Sequence, residues 1–145
     1  MDINAINSMQ YCACFRLRAA ARKVTRDFED ALKAVDLRAT QFTLLCMITG
    51  MKPNSMTALA DEVGMDRTAL NRALNIMKKH DWVTVSKSED SLEKKIRITE
   101  AGQEKIKEAF PLWKAVQEKI IGESSKEEWQ EHSNWLVNIA QGRHY

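Results

Sequence analysis

Residues 57–80 are TALADEVGMDRTALNRALNIMKKH, and this stretch predicts two short helices joined by a sharp turn. Thr57 is the expected N-cap of the first helix, and Gly64 suits the left-handed backbone at its end. Asp66 is expected to cap the second helix, which should end near His80. Apolar residues recur every three or four positions in the second helix and predict its buried stripe, which is Leu70, Ala73, Leu74 and Met77.

The sequence on either side of this helix pair completes the order of a winged helix-turn-helix. Residues 42–48 are apolar almost all round, which predicts a buried helix that ends before Gly50 and Pro53. Apolar and polar residues alternate at 83–85 and 96–98, which predicts two strands joined by a polar loop over 87–94. In this arrangement the second short helix enters the DNA major groove. An ordinary helical hairpin is the plainer alternative.

Both ends of the chain are expected to be helical. A long amphipathic helix is predicted over residues 17–35, and a second apolar stripe runs over 106–120. Pro111 interrupts this stripe and should kink the helix, because proline lacks a backbone N–H. Gly122 is expected to end it. A last helix should follow Ser124 or Ser125, with an apolar side formed by Trp129, Leu136 and Ile139.

Composition limits the possible functions. The 145 residues carry a net charge of +2, which is too small to indicate a nucleic-acid partner unless the cations cluster. No glycine-rich phosphate loop, paired-histidine metal motif or nucleophile elbow occurs, so we expect no enzyme, cofactor or metal site. Cys12, Cys14 and Cys46 lack metal-site spacing and suit a reducing cytoplasm. Neither a secretory leader nor a membrane span is expected.

The predicted second helix concentrates polar residues that suit DNA. Helical geometry turns one edge outward, and its residues are Arg67, Thr68, Asn71, Arg72, Asn75 and Lys78. Arginine can pair with guanine through two hydrogen bonds, asparagine can pair with adenine, and threonine and lysine reach phosphates. Asparagine is unfavourable inside a helix, which favours a DNA-binding role over a merely solvated face. Weaker candidates in the wing are Lys87, Lys94, Lys95 and Arg97, since nearby acids dilute their charge.

Several motifs together resemble the MarR family of bacterial transcriptional regulators. They are LRATQFTLL at 37–45, Leu59-Ala60, MDRTALNR at 65–72 and ITEAG at 98–102. The resemblance covers nearly the whole chain. It implies a triangular homodimer in which the first, fifth and sixth helices interlock and two recognition helices bind a pseudo-palindromic double-stranded operator.

This resemblance also implies a fold class and a division of the chain. The expected fold is mainly α with a small β-wing: a winged helix-turn-helix domain plus a helical dimerisation region. An N-terminal dimerisation helix would occupy residues 1–36, the DNA-binding domain 37–99, and the C-terminal dimerisation helices 100–145. One departure lies in the wing, where Asp90 is followed by Ser91 and Leu92 instead of the family's arginine two positions on. Lys94 or Lys95 would then replace that arginine in the minor groove.

Control of DNA binding is left open between two mechanisms. The resemblance implies a repressor released by a small aromatic or phenolic effector, held between the DNA-binding lobe and the dimerisation helices. The candidate pocket residues are Cys14, Leu17, Arg18 and Phe42, and a basic run on the first helix offers an anion site at Arg16, Arg18, Arg22, Lys23 and Arg26.

Oxidation is the alternative, because Cys14 stands at a position resembling the reactive cysteine of the organic-hydroperoxide-sensing branch. However, Arg18, Phe28 and Ala39 stand where that branch has tyrosines. In the plainer interpretation the cysteines are small buried residues. A winged helix that binds only proteins is a further alternative.

Overall fold

Six α-helices and a two-stranded sheet make up the part of the chain described by the computed structural model, which is residue 6 and residues 8–53, 55–87 and 94–143. The order is α1 (Ala13–Leu32), α2 (Ala39–Met51), α3 (Met56–Val63), α4 (Arg67–Lys79), β1 (Val83–Lys87), β2 (Lys94–Ile98), α5 (Glu100–Ile121) and α6 (Lys126–Ala140). Short 3-10 turns lie before and after α1. The expected class, mainly α with a small β-wing, is confirmed.

The turn between α3 and α4 has the predicted chemistry, with one correction. Gly64 ends α3 at φ 65°, in the left-handed region that glycine tolerates best. The Asp66 carboxylate accepts a hydrogen bond from the Ala69 backbone N–H at 2.8 Å, so it caps α4 as expected. Thr57 was the wrong cap for α3. Ser55 has the extended backbone that a cap requires, and its hydroxyl accepts from the Ala58 N–H at 3.1 Å.

A common core fixes how α4 is oriented. Leu70, Leu74 and Met77 are buried on its inner side, as predicted, while Ala73 is half-buried. They share this core with Leu59 of α3 and with buried residues of α2, which are Phe42, Leu44, Leu45 and Ile48. Each large side chain contributes roughly 1.5–3 kcal/mol when fully buried. Rotation of α4 about its axis would expose these residues, so its opposite side is held in solvent.

The wing is an antiparallel ribbon in the predicted place. Val83 pairs with Ile98 and Val85 with Ile96, and Ile96 is fully buried. The predicted loop over 87–94 was two residues too long, because Lys87 and Lys94 pair across the strands. Asp90, Ser91 and Leu92 lie outside the described residues, and so does the predicted departure from the family wing.

The other helix boundaries differ modestly from those predicted. Helix α1 begins four residues before Leu17, and a 3-10 turn continues it to Val35. Helix α2 extends through Gly50 to Met51. Helix α5 continues without a break through Pro111, so the expected kink stays a prediction, and Gly122 ends the helix as expected.

Helix α6 has an apolar surface that its own chain does not cover. Ser125 caps it, as predicted, but none of the residues in α6 is buried. The side chains of Trp135, Leu136 and Val137 are 52%, 42% and 47% exposed.

Among the described residues, no helix combines the length and apolar character that a membrane span requires.

Candidate nucleic-acid interface

The six predicted DNA-binding residues of α4 form one solvent-facing strip. All are exposed and lie outside the buried stripe of Leu70, Leu74 and Met77, with Arg67 and Lys78 at its rim. We call this strip the polar edge of α4; its residues are Arg67, Thr68, Asn71, Arg72, Asn75 and Lys78. Because the core fixes the inner side of the helix, the polar edge is presented outward as one rigid surface.

The cations of the polar edge are free to bind an external anion. Within the described part of the chain, Arg67, Arg72 and Lys78 form no ion pair; the ion pairs found there lie on α1, on α5, and between α1 and Arg38, the residue before α2. The nearest acid in sequence, Asp66, is already bonded to the Ala69 N–H. Phosphate contacts would therefore not have to displace an internal carboxylate.

One amide of the polar edge is held in place by the helix. The Asn71 side-chain nitrogen donates to the backbone oxygen of Arg67 at 2.9 Å. The side-chain amide of Asn75, one turn later, makes no hydrogen bond with the described residues. The two asparagines therefore differ in how firmly their amides are oriented.

The wing places its cations around the open end of the ribbon. Lys87, Lys94 and Lys95 are exposed at the two strand ends nearest the connecting loop. Arg97 lies further back, and its guanidinium donates to the Ile96 carbonyl at 2.9 Å. The three lysines therefore lie nearer the open end of the ribbon than Arg97 does, and their ammonium groups are exposed there.

An aromatic cavity lies between α1, α2 and α5. It has a volume of about 310 Å³, and its walls include Val24 and Phe28 of α1, Phe42 of α2 and Trp113 of α5. The Trp113 ring centroid is 6.0 Å from that of Phe42 and 6.5 Å from that of Phe28. Val63 and Met65, on either side of the α3–α4 turn, also line the cavity. A ligand bound here would contact both the long helices and the turn between α3 and α4.

Only one of the four predicted pocket residues lines this cavity. Phe42 does, but Cys14, Leu17 and Arg18 do not. At 1.5 Å per residue, Cys14 lies about 15 Å along α1 from Val24, too far to contact the same small ligand. Sequence reasoning missed Trp113 as a pocket residue. The available signal was its position on the apolar stripe over 106–120, which predicts burial but does not identify the residues that it packs against.

The basic run on α1 is not a concentrated anion site. Lys23 pairs with Asp27, and this hydrogen bond and charge hold the pKa of the Asp27 carboxyl below its usual value. Arg22 and Arg26 line an open groove of about 820 Å³, which also contains the carboxylates of Glu29, Asp30 and Asp36. Charges of both signs therefore share this groove.

The cysteines differ in their accessibility. All three thiols are free; Cys14 is exposed near the start of α1, whereas Cys12 and Cys46 are partly buried. Burial raises the pKa of the Cys46 thiol, which disfavours its reactive thiolate. The described residues contain no group of histidine, cysteine and acidic side chains able to hold a metal ion.

Comparisons with known proteins place this architecture in one family. The sequence profile of the MarR family matches residues 37–92. The Mycobacterium tuberculosis transcriptional regulator MosR, solved in complex with DNA, is 31% identical, with a TM-score of 0.80 over 90% of this chain and 95% of that one. This chain therefore belongs to the MarR family of transcriptional regulators, as its sequence motifs predicted.

One further relative agrees with this membership, and a second shares the fold. An uncharacterised helix-turn-helix transcriptional regulator of Bacillus cereus is 26% identical over 130 residues, covering 90% of this chain and 85% of the relative. A cysteine-to-serine mutant of Escherichia coli MarR, complexed with operator DNA, is 18% identical with a TM-score of 0.78, covering 96% of this chain and 99% of that one. At that identity the second likeness concerns the fold alone.

Proposed function

We propose that this protein is a homodimeric repressor that binds a pseudo-palindromic DNA operator through α4 and is released by a small aromatic or phenolic effector. The observation that carries the proposal is the polar edge of α4, which is exposed and whose cations are unpaired within the described chain. Relatives of the same fold, MosR and MarR, were solved with DNA. Double-stranded DNA is therefore the partner that best fits this surface.

The apolar surfaces outside the core support a dimer. Large apolar side chains remain exposed on α6 and near the N-terminus, where Tyr11 is 79% and Phe15 52% exposed. Clustered apolar surface of this kind is typical of an interface. We therefore assign residues 1–36 and 100–145 to dimerisation and residues 37–99 to DNA binding, so that two copies of α4 can reach successive major grooves.

The aromatic cavity supports control by a small molecule. Its Phe28, Phe42 and Trp113 rings suit a flat aromatic ligand, and its contact with Val63 and Met65 links such a ligand to the turn that positions α4. A ligand that binds better in a conformation with a displaced α4 would lower DNA affinity. Phe42 is thus the retained effector residue, and Cys14, Leu17 and Arg18 are not part of this pocket.

A gel-shift titration with the DNA upstream of the protein's own gene tests the proposal. Wild type should retain the duplex at low salt, and binding should weaken steeply as salt rises, because phosphate contacts release counterions. Arg72→Ala should weaken binding, whereas Lys126→Ala removes the same charge from the start of α6 and should not. If wild type retains no duplex even at low salt, a winged helix that binds only proteins becomes the better interpretation.

Oxidation of Cys14 is a second candidate for the release signal, and the observation in its favour is that this thiol is exposed. A hydroperoxide would oxidise the thiolate to a sulfenic acid while its own O–O bond is reduced to an alcohol. Free thiols also suit the reducing cytoplasm, where we place the protein. If oxidation is the signal, Cys14→Ser should stay on DNA when peroxide is added, and Cys46→Ser should release like wild type. If Cys14→Ser also releases, Cys14 is structural.

A further inference from the structure

We propose that Asn71 specifies adenine in each half of the operator, because α4 holds its side-chain amide with one donor and one acceptor facing outward. The inference rests on the proposed DNA-binding function and names a base that the polar edge of α4 recognises. It assigns different roles to Asn71 and Asn75, which are chemically identical and lie one turn apart.

The hydrogen bond to the helix backbone determines which way the Asn71 amide points. Its nitrogen lies 2.9 Å from the Arg67 carbonyl oxygen. Only the NH₂ end can face that carbonyl, because the amide oxygen would be repelled by it. The oxygen, Oδ1, is therefore directed away from the Arg67 carbonyl. The side chain is exposed, so this end of the amide is accessible to a ligand.

The atoms left free on this amide match adenine. The amide nitrogen carries two hydrogens, and the hydrogen bond to the Arg67 carbonyl uses one of them. One hydrogen and Oδ1 therefore remain as a donor and an acceptor on the same planar amide. In the major groove, adenine offers the complementary pair, the N7 acceptor and the N6 amino donor. Guanine offers two acceptors, N7 and O6, and its O6 would oppose Oδ1.

The position of Asn71 along α4 suits direct contact with a base. Residues in the N-terminal part of a recognition helix contact base edges, and Asn71 is the fifth residue of α4. Binding also requires less ordering of an amide that is already held. Asn75 is exposed as well, but it lies further along the helix and its side-chain amide makes no hydrogen bond with the described residues. Asn75→Ala therefore removes a second polar-edge amide that is not held in this way, and it is expected to weaken DNA binding without losing the adenine assigned to Asn71.

Selection from a random duplex pool tests the assignment. Purified full-length wild type, Asn71→Ala and Asn75→Ala would each be used to enrich bound sequences. Wild type and Asn75→Ala should select adenine at one common position in each half-site. Asn71→Ala should lose that preference and keep the others. Replacing this adenine with guanine should weaken wild-type binding by roughly 5- to 150-fold, the usual discrimination of a two-bond contact, and should change Asn71→Ala binding much less.

The outcomes separate this inference from the function on which it rests. If Asn71→Ala selects the same bases as wild type, the assignment to Asn71 is overturned while DNA binding stands. If wild type enriches no sequence, the proposed operator-binding function fails as well. Unfolding will not confuse the result, because alanine is a better helix former than asparagine and both variants should melt no lower than wild type.

Discussion

Gly102 lies where the wing joins α5, directly against the backbone of Trp82. A Cβ atom added at Gly102 would stand 2.2 Å from the Trp82 carbonyl oxygen and 2.7 Å from Cγ1 of Ile98. The carbonyl cannot move without disturbing the start of β1. We predict that Gly102→Ala lowers the free energy of unfolding by about 1–3 kcal/mol or more, the usual penalty of overpacking. Urea denaturation of the purified variant measures this loss.

Gly50→Ala is the matched control for this substitution. Gly50 lies inside α2, and nothing stands within 4 Å of its added Cβ. Alanine favours a helix over glycine by roughly 1 kcal/mol, so this variant should be as stable as wild type or slightly more stable. Equal losses at both positions would show that crowding beneath Trp82 is not the cause.

Single residues also show what sequence could and could not predict. Asp66 and Gly64 were identified correctly, because their chemistry is specific to the start and end of a helix. Ser55 and Thr57 are both good cap residues two positions apart, and only the extended backbone at Ser55 distinguishes them. Trp113 could not be assigned to the aromatic cavity, since its ring partner Phe42 lies far away in sequence.

The start of α4 depends on the Asp66 cap. Its carboxylate accepts from the Ala69 N–H, and the residues that follow, Arg67 and Thr68, belong to the polar edge. We predict that Asp66→Ala destabilises the protein by about 1 kcal/mol, the usual cost of losing an N-cap. DNA affinity, measured by fluorescence anisotropy, should fall as the first turn of α4 frays. Asp66→Asn retains a good cap and should preserve stability, and an equal loss there would contradict this role.

Helix α6 has a pH-dependent start. Ser125 and Glu128 cap each other, and these hydrogen bonds lower the pKa of the Glu128 carboxyl below its ordinary value of 4.5. A lowered folded-state pKa means that this cap stabilises the helix above the unfolded-state pKa and is lost as pH falls through the folded one. An NMR pH titration should find the Glu128 midpoint below the ordinary value. Ser125→Ala keeps the backbone N–H that donates to the Glu128 carboxylate and removes only the hydroxyl, so the midpoint should rise part of the way towards the ordinary value; an unchanged midpoint would show that the Ser125 hydroxyl does not lower this pKa.

At the scale of the whole molecule, we predict that a second copy of the chain covers the exposed apolar surface of α6. Leu136→Glu places a charge on the exposed apolar surface of α6 and should convert the dimer to a monomer, as measured by light scattering after size exclusion. Asn138→Glu adds the same charge roughly 200° further round the helix and should leave the dimer intact. A Leu136→Glu protein that stays dimeric would move the interface elsewhere.

The sequence predicted the order of helices and strands in the whole molecule, but it did not predict how copies of the chain assemble. The spacing of apolar residues changes from every three or four positions to every second position and back. This change identified the order of helices and wing, because each spacing belongs to one type of element. The apolar stripe of α6 was equally visible, but periodicity does not say whether the covering surface comes from the same chain. Only the absence of burial along α6 indicates that its own chain leaves this surface open.

Hydroxyl-radical footprinting of the wild-type protein on its upstream duplex tests whether two copies of α4 dock together on one DNA site. We predict protected backbone in two patches on one face of the duplex, with centres about 10 base pairs apart or a multiple of that spacing. Arg67→Ala combined with Arg72→Ala should abolish both patches at the same protein concentration. A single patch, or protection that the double variant leaves unchanged, would contradict DNA recognition by paired α4 helices.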